Sequence, residues 1–423
     1  MIVSNVQFIN PITSTTDKVD IEITEGRIVS FASPGSLKDR GDGFIDATGL
    51  YASPGFIDIH SHFRDPGFTY KEDIVSGAAA AARGGYTDIV LMANTNPTVD
   101  DPSVLAYVYN KGLETGIHIH SCASVTKGLK GTELTDMETL KKHGAVGFTD
   151  DGIPIMDEEI LRKAMKYCAD LNVPISLHEE DKNLISQNGI NAGSVAIHYG
   201  LLGAPREAEI NMVKRDIDIA IETGVKLDIQ HVSAKETVKL VRAARNAGHL
   251  NICAEATPHH FSLTEKAILE HGSNAKMNPP LRTEEDRQAI IEGLKDGTIS
   301  FIATDHAPHS IEEKQGSLTS APSGIIGLET AFSLGLTKLV RESDMSIYSF
   351  ISKLTVEPRK FYGFKIPSLA IGDAADITVF SLSEEWTYDK TLSRSFNTPF
   401  AGCKMTGKVK YTICGGRTVF CDR

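Results

Sequence analysis

Apolar runs alternate with segments of helical period through the middle of the chain. Between residues 53 and 364, eight short apolar runs predict buried strands. They cover residues 55–59, 86–92, 117–121, 145–148, 174–177, 226–230, 251–254 and 300–303. The segments between them include predicted helices at residues 70–83, 157–171, 207–223, 235–247 and 283–295. Eight buried strands with helical crossovers predict an α/β fold, a (β/α)8 TIM-like barrel.

The two ends of the chain follow a different pattern, in which short strands are separated by turns. The predicted strands cover residues 1–9, 18–23, 27–32 and 43–46 and, after a last helix at 346–360, residues 377–380, 408–413 and 418–420. Because the ends resemble each other and differ from the middle, we expect them to pair. The predicted organisation is a small β-sandwich domain of residues 1–52 and 365–423 beside a barrel of residues 53–364.

Length and charge narrow the possible functions. A chain of 423 residues is long enough for a barrel and a smaller module. Its net charge of −12 argues against a nucleic-acid partner. We expect no membrane segment and no secretory signal, since no apolar stretch is long enough and the start lacks a basic region. The six dispersed cysteines include no CxxC pair, which predicts a reduced, cytoplasmic protein.

Two histidines end the first predicted barrel strand. Side chains at positions i and i+2 of a strand project to the same face, so His60 and His62 point the same way, about 7 Å apart. Neutral imidazole is the commonest protein ligand of metals. The pair can therefore bind one metal ion.

Four further strand ends carry metal-binding residue types. These are Asp150 and Asp151 after the fourth strand, His178 after the fifth, His231 after the sixth and Asp305 after the eighth. Barrels of this kind place their chemistry at the carboxyl ends of the strands. Four histidines with carboxylates exceed the needs of one tetrahedral zinc, so we predict a two-metal site with one bridging carboxylate. Mixed nitrogen and oxygen ligands suit zinc, and Mn, Fe or Co would also fit.

Such a site predicts metal-assisted hydrolysis. Two divalent cations lower the pKa of a water molecule and polarise the carbonyl group under attack. A neighbouring carboxylate can accept the proton and pass it to the leaving nitrogen. Asp305, alone on its strand end, is the predicted catalytic residue.

Two motifs identify a family resemblance. They are residues 58–67 (DIHSHFRDPG) and residues 303–309 (ATDHAPH), supported by residues 92–97, 257–261, 277–282 and 321–330. The chain resembles the dihydroorotases, cyclic amidases of the amidohydrolase superfamily, nearly from end to end. Hydantoinases and allantoinases belong to the same group.

The resemblance implies a cofactor of two Zn2+ ions per subunit. His60 and His62 would hold one ion, and His178 and His231 the other. The bridge would be an aspartate in place of the carboxylated lysine of hydantoinases. By its spacing to His178, Asp151 is favoured over Asp150, which remains the alternative. Asp305 would be both a metal ligand and the general base.

The resemblance also implies a substrate and its contacts. Arg64, Asn94, Asn278 and His309 correspond to substrate-binding residues. The reaction would be the reversible cyclisation of N-carbamoyl-L-aspartate to dihydroorotate in pyrimidine synthesis. Arg64 favours this acidic substrate because a guanidinium binds a carboxylate through two hydrogen bonds. A homodimer and an association with aspartate carbamoyltransferase are both left open.

Two alternatives and two histidine pairs complete the predictions. An allantoinase or hydantoinase would be expected to carry a lysine near Asp151, and a non-catalytic barrel scaffold would be expected to lose metal ligands. The second HxH, His118 and His120, has no accompanying motif, and we expect it to pack in its strand. His259 and His260 could contact the metal ligands or the metal itself.

Overall fold

A computed structural model describes residues 1–38, 41, 43–367 and 370–422. The predicted domain ranges also include residues 39, 40, 42, 368, 369 and 423, which lie outside the described residues. The strands are β1 (Ile2–Asn10), β2 (Thr15–Thr24), β3 (Arg27–Ala32), β4 (Phe44–Asp46), β5 (Tyr51–Pro54), β6 (Phe56–Ser61), β7 (Tyr86–Leu91), β8 (His118–Ser121), β9 (Ile175–Leu177), β10 (Leu227–Ile229), β11 (Ile252–Ala256), β12 (Phe301–Ile302), β13 (Ile377–Thr387), β14 (Lys404–Cys414) and β15 (Arg417–Cys421).

The helices lie mainly between the strands of the middle region. They are α1 (Ile74–Arg83), α2 (Pro102–Gly112), α3 (Met137–Lys142), α4 (Glu158–Leu171), α5 (Ser194–His198), α6 (Glu207–Thr223), α7 (Lys235–Asn246), α8 (Pro258–Ser262), α9 (Ala267–His271), α10 (Glu284–Asp296), α11 (Ile311–Lys314), α12 (Ala331–Gly335) and α13 (Ile347–Tyr362). Short 3-10 turns occupy Lys127–Leu129 and Gly272–Ala275, and a π-helical turn occupies Leu336–Arg341.

The middle of the chain forms the predicted (β/α)8 barrel. Parallel pairing runs through β6, β7 and β8 and through β9, β10, β11 and β12. Phe148 forms a β-bridge with Ala123 on one side and with Ile175 on the other. It therefore joins the two groups of strands at the fourth strand position of the barrel. Ser61 bridges His306, which closes the ring. The predicted fourth strand is thus reduced to a single bridging residue, while the eightfold arrangement is confirmed.

Helix limits follow local capping. Helix α1 begins at Ile74 rather than at residue 70, because the Asp73 carboxylate accepts a hydrogen bond from the backbone N–H of Ser76 at 2.7 Å. In the same capping box, the Ser76 hydroxyl oxygen accepts a hydrogen bond from the backbone N–H of Asp73. Helix α6 matches its predicted limits and ends at Thr223. Its C-cap is Gly224, whose φ of +72° is the left-handed conformation that glycine adopts easily.

Both chain ends build the predicted β-sandwich module. Its strands are hydrogen-bonded in the order β15-β14-β13-β5-β1-β2-β3, with β4 also paired to β1. They enclose their own apolar cluster, which includes Val6, Ile21 and Ile377. Ser53 pairs with Thr378, so the module extends slightly beyond residue 52. The division at residues 52 and 365 remains our proposal.

Across the described parts of the chain, the helices are too short or too polar to cross a membrane.

Candidate metal centre and active site

Strand β6 delivers the two histidines of the first motif to the barrel mouth. Its six residues are buried, and the ring centroids of His60 and His62 lie 5.3 Å apart. The chain is held there by Asp58, whose carboxylate accepts hydrogen bonds from the Ser61 hydroxyl at 2.5 Å and from the backbone N–H of Thr304 at 2.8 Å. Asp58 therefore links the first barrel strand to the residues after the eighth, and the Ser61 hydroxyl helps to hold its carboxylate in place.

Asp151 and Asp305 face this histidine pair. His62 Nε2 lies 3.0 Å from Asp305 Oδ1 and 3.4 Å from Asp151 Oδ2. His60 Nε2 lies 3.4 Å from Asp151 Oδ1 and 3.6 Å from Asp305 Oδ1. All four side chains are buried. The arrangement offers two nitrogen and two carboxylate ligands to one ion.

Asp151 also faces the second histidine pair. Its Oδ1 lies 3.7 Å from His178 Nδ1 and 3.7 Å from His231 Nε2, and these two nitrogens are 2.9 Å apart. Asp151 therefore lies between two pairs of histidines, a position from which one carboxylate could bridge two ions. Asp150 points elsewhere: its carboxylate accepts hydrogen bonds from the backbone N–H groups of Val125 at 2.8 Å and Thr126 at 3.1 Å.

The donor atoms fit divalent metal ions. His60, His62 and Asp151 offer ligand atoms within 4.8 Å of one another, as do Asp151, His178 and His231. His60 Nε2 is buried without a hydrogen-bond partner in the described protein, and a metal ion would satisfy it. Imidazole nitrogens with carboxylate oxygens are a donor set typical of zinc.

The electrostatics favour ionised carboxylates. Burial alone raises the pKa of Asp151 and of Asp305, but the charge of His60 and the contacts with the other histidines bring both pKa values below the usual range. Both groups are therefore carboxylates at neutral pH, the state that binds metal.

Glu255 is a member of the site that the sequence did not predict. It lies on β11, fully buried, with its Oε1 2.5 Å from His60 Nδ1 and 3.0 Å from the backbone nitrogen of His231. A hydrogen bond to Nδ1 leaves Nε2 free for a metal. The available signal was a glutamate inside an otherwise apolar strand, where an ionised side chain is costly unless it is paired.

A cavity of about 320 Å³ opens over the two histidine pairs. Arg64, Asn94 and Asn278 line it together with five of the six candidate metal ligands, which are His62, Asp151, His178, His231 and Asp305. Asn94 contacts both ligand groups, with Oδ1 3.0 Å from His62 Nδ1 and Nδ2 donating to Asp151 Oδ2 at 3.0 Å. Arg64 has a φ of +58° and its Nε donates to Pro308 O at 3.3 Å. Three of the four predicted substrate residues therefore share one cavity with the candidate ligands.

His309, the fourth, lies beside that cavity rather than on its wall. Its Nδ1 is 3.4 Å from Lys71 Nζ and 3.4 Å from Glu313 Oε2, and its backbone N–H donates to Asn397. Burial and the nearby charge of Arg64 lower the pKa of His309 to about 2, so the ring is neutral. Its role in substrate binding stays a prediction.

The remaining histidines separate into different environments. His260 supports the backbone, with Nε2 3.0 Å from Pro279 O. His259 is buried, and neither ring nitrogen has a partner among the described residues. Burial and the neighbouring His260 lower the pKa of His259 well below its usual value. His118 lies away from this site, at the start of β8.

Comparison with known proteins identifies the family. A profile of the amidohydrolase family matches residues 51–419. The chain belongs to the amidohydrolase family. Relatives of this family named dihydroorotase include one from Clostridioides difficile (strain 630), 49% identical over 420 residues with 99% of each chain covered. Another, from Clostridium acetobutylicum, is 48% identical over 425 residues with 100% of each covered. The resemblance stated from the motifs is confirmed.

Solved structures of the same amidohydrolase fold support the architecture. An L-hydantoinase (dihydropyrimidinase) from Arthrobacter aurescens matches with a TM-score of 0.88 and 22% identity, covering 99% of this chain and 95% of the other. A dihydropyrimidinase from Brevibacillus agri matches with a TM-score of 0.85 and 22% identity, covering 99% and 94%. At this identity the likeness establishes the fold alone.

Proposed function

We propose that this amidohydrolase is a zinc-dependent dihydroorotase. It catalyses the reversible cyclisation of N-carbamoyl-L-aspartate to dihydroorotate in the synthesis of UMP. The carrying observation is that Arg64 shares one cavity with Asp151, the carboxylate flanked by two pairs of histidines. Full-length relatives named dihydroorotase support the same reaction.

The proposed cofactor is a pair of zinc ions. His60, His62 and Asp305 would hold one ion, His178 and His231 the other, and Asp151 would bridge them. When bound, the ions would supply an activated water molecule and polarise the ring carbonyl.

Asp305 is the proposed general base and acid. In hydrolysis, water adds to the ring amide carbon, the C–N bond breaks and the nitrogen takes up a proton. The Asp305 carboxylate faces the cavity and would accept the proton of the water, then deliver it to that nitrogen. Because its pKa is held low, Asp305 starts as the carboxylate that this step requires.

Arg64 is proposed to select the substrate. Dihydroorotate and carbamoyl aspartate both keep a free carboxylate that takes no part in ring closure. The Arg64 guanidinium would bind that carboxylate, while Asn94 and Asn278 would bind the polar atoms of the ring. Substrates without a carboxylate would leave this half-buried guanidinium without an anionic partner in the substrate, which disfavours hydantoin and allantoin.

A side-by-side assay tests the proposal. We expect turnover of dihydroorotate to exceed that of hydantoin and allantoin by several orders of magnitude in a sample whose metal content is measured. Asp305→Asn should retain binding of carbamoyl aspartate and lose turnover. Preferred turnover of hydantoin or allantoin would refute the substrate, and an Asp305→Asn variant with ordinary turnover would refute the proposed base.

The cellular setting is also a proposal. The six cysteines are free, which supports a reducing compartment such as the cytoplasm. We propose a homodimer and, separately, an association with aspartate carbamoyltransferase. Analytical ultracentrifugation of the protein, alone and mixed with that enzyme, would detect either assembly, and a lone monomer in both samples would refute both.

A further inference from the structure

The second HxH motif lies at the end of the barrel opposite the candidate active site. His118 is the first residue of β8, whereas the candidate ligands lie at or just beyond the carboxyl ends of their strands. At this end the terminal sheet meets the barrel. His118 Nε2 lies 3.4 Å from Oδ2 of Asp376, the residue that precedes β13.

Cys414 completes a group of three at this junction. It is the last residue of β14, and its thiol is buried. One ligand atom from each of His118, Asp376 and Cys414 lies within 4.8 Å of the other two. An imidazole nitrogen, a carboxylate oxygen and a thiol sulfur at such distances are a set of ligands that zinc accepts.

The surroundings allow a metal ion to enter. The side chain of His118 is 47% exposed and that of Asp376 is 17% exposed, whereas Cys414 closes the inner side. A cavity of about 280 Å³ is lined by His118 and Asp376 and leaves room for water. An ion held from the protein side by three ligands could therefore complete its tetrahedral coordination with solvent.

We propose that His118, Asp376 and Cys414 form a separate zinc site that joins the barrel to the terminal sheet. Its ligands come from β8 on one side and, on the other, from β14 and the residue that precedes β13, so a bound ion would cross-link the two units. The expected role is stabilisation, because an ion that binds the folded protein and not the unfolded chain shifts the equilibrium towards folding. This inference goes beyond the proposed function and does not depend on it.

Without a metal ion, His118, Asp376 and Cys414 interact through hydrogen bonds, and this arrangement competes with zinc binding. Hydrogen bonds to Asp376 and Cys414 raise the pKa of His118, and burial raises the pKa of the Cys414 thiol. Zinc must displace the protons that these groups hold, and the gain of a thiolate ligand is what allows it to compete.

Cobalt substitution gives a test that is specific to this site. The candidate active site contains no cysteine among its ligands, so a thiolate-to-cobalt charge-transfer band can arise only elsewhere. We expect the full-length wild-type protein loaded with Co2+ to show this band, and added Zn2+ to abolish it. The band should be lost in Cys414→Ser and retained in the control Cys403→Ser, whose thiol is half-buried and lies outside this group.

Metal content and thermal stability give the second readout. Cys414→Ser and His118→Gln should bind one zinc equivalent fewer than wild type, and zinc should raise their unfolding midpoints less. Both variants should retain amidohydrolase turnover, because the group lies at the far end of the barrel. A wild-type protein without the thiolate band, or a band that persists in Cys414→Ser, would overturn the proposal even if a variant failed to fold.

Discussion

Glu255 Oε1 lies 2.5 Å from Nδ1 of His60 and also accepts a hydrogen bond from the backbone of His231. One buried carboxylate oxygen therefore touches a residue of each histidine pair. It fixes the tautomer of His60, with Nδ1 protonated and Nε2 available to a metal. We infer that Glu255 positions the metal ligands without binding metal itself.

Replacing Glu255 tests this positioning role. We expect Glu255→Gln to weaken metal binding by about 10- to 100-fold, because the amide is a weaker acceptor and can favour the wrong tautomer. Competition with a chelator would measure the loss. The control Glu270→Gln, at a side chain that is 79% exposed, should bind metal as wild type does. Equal metal affinities in the two variants would show that Glu255 does not position the metal ligands.

Asp150 and Asp151, which follow the fourth strand position of the barrel, should have separable roles. We expect Asp151→Asn to lower the metal content well below two equivalents, since the proposed bridging carboxylate is lost. Asp150→Asn should keep its metal but lower the free energy of unfolding by about 1–3 kcal/mol, because Asp150 accepts backbone hydrogen bonds from the chain after β8. Metal analysis and urea unfolding of both variants would measure these effects. Loss of metal in Asp150→Asn but not in Asp151→Asn would indicate that Asp150 is the bridging ligand.

Arg64→Ala should damage substrate use while sparing the metal. Removing a hydrogen-bonding partner of a charged group costs about 1.5–3 kcal/mol, so kcat/KM for dihydroorotate should fall by about 10- to 100-fold. Steady-state kinetics with metal analysis on the same sample would measure both effects. Arg162→Ala, on the outer face of α4, is the matched control. Parallel loss of metal and activity would indicate that Arg64 is structural.

Lys353 should make stability depend on pH in the alkaline range. Burial lowers the pKa of its amine from 10.5 to about 8, and the amine donates to Ile299 O at 2.7 Å. Between these pKa values only the unfolded chain takes up the proton, so the wild type loses stability as the pH falls from 10.5 to 8. Below pH 8 both states bind the proton, and the resulting loss in the free energy of unfolding stays constant at about 3 kcal/mol.

The test is a comparison of unfolding free energies at two pH values. From pH 8 to pH 10, wild type should gain stability relative to Lys353→Met, as measured by urea unfolding. Lys360→Met, on the same helix but at an exposed position, should show the same pH dependence as wild type. If Lys353→Met also follows the wild-type profile, the amine is not titrating as described.

Periodicity predicted the fold well because each strand and helix carries its pattern locally. Helix α6 and strand β3 have the predicted limits. The candidate metal ligands, which remain a prediction, lie together at one mouth of the barrel. The choice between Asp150 and Asp151 could not be derived from residues alone, since neighbours in a turn project in different directions and only the turn's geometry decides which way each points.

Contacts between strands that are far apart in the chain could not be predicted from the sequence. The pairing of Glu255 with His60 joins residues on β11 and β6, and no local pattern links them. His118 illustrates the same limit: its HxH pattern gave no hint of Asp376 and Cys414, which approach it only when the terminal sheet packs on the barrel. Local patterns predict elements, whereas these partners depend on tertiary packing.

The order of strands in the terminal sheet has a consequence for synthesis on the ribosome. Strand β5 pairs with β1 on one edge and with β13 on the other, and the whole barrel is encoded between β5 and β13. While the barrel is being translated, any early pairing of β1 and β5 leaves one backbone edge without its partner. Such an edge is a template for pairing with other chains. Shielding of this edge until the last strands emerge would therefore protect the nascent protein from such pairing.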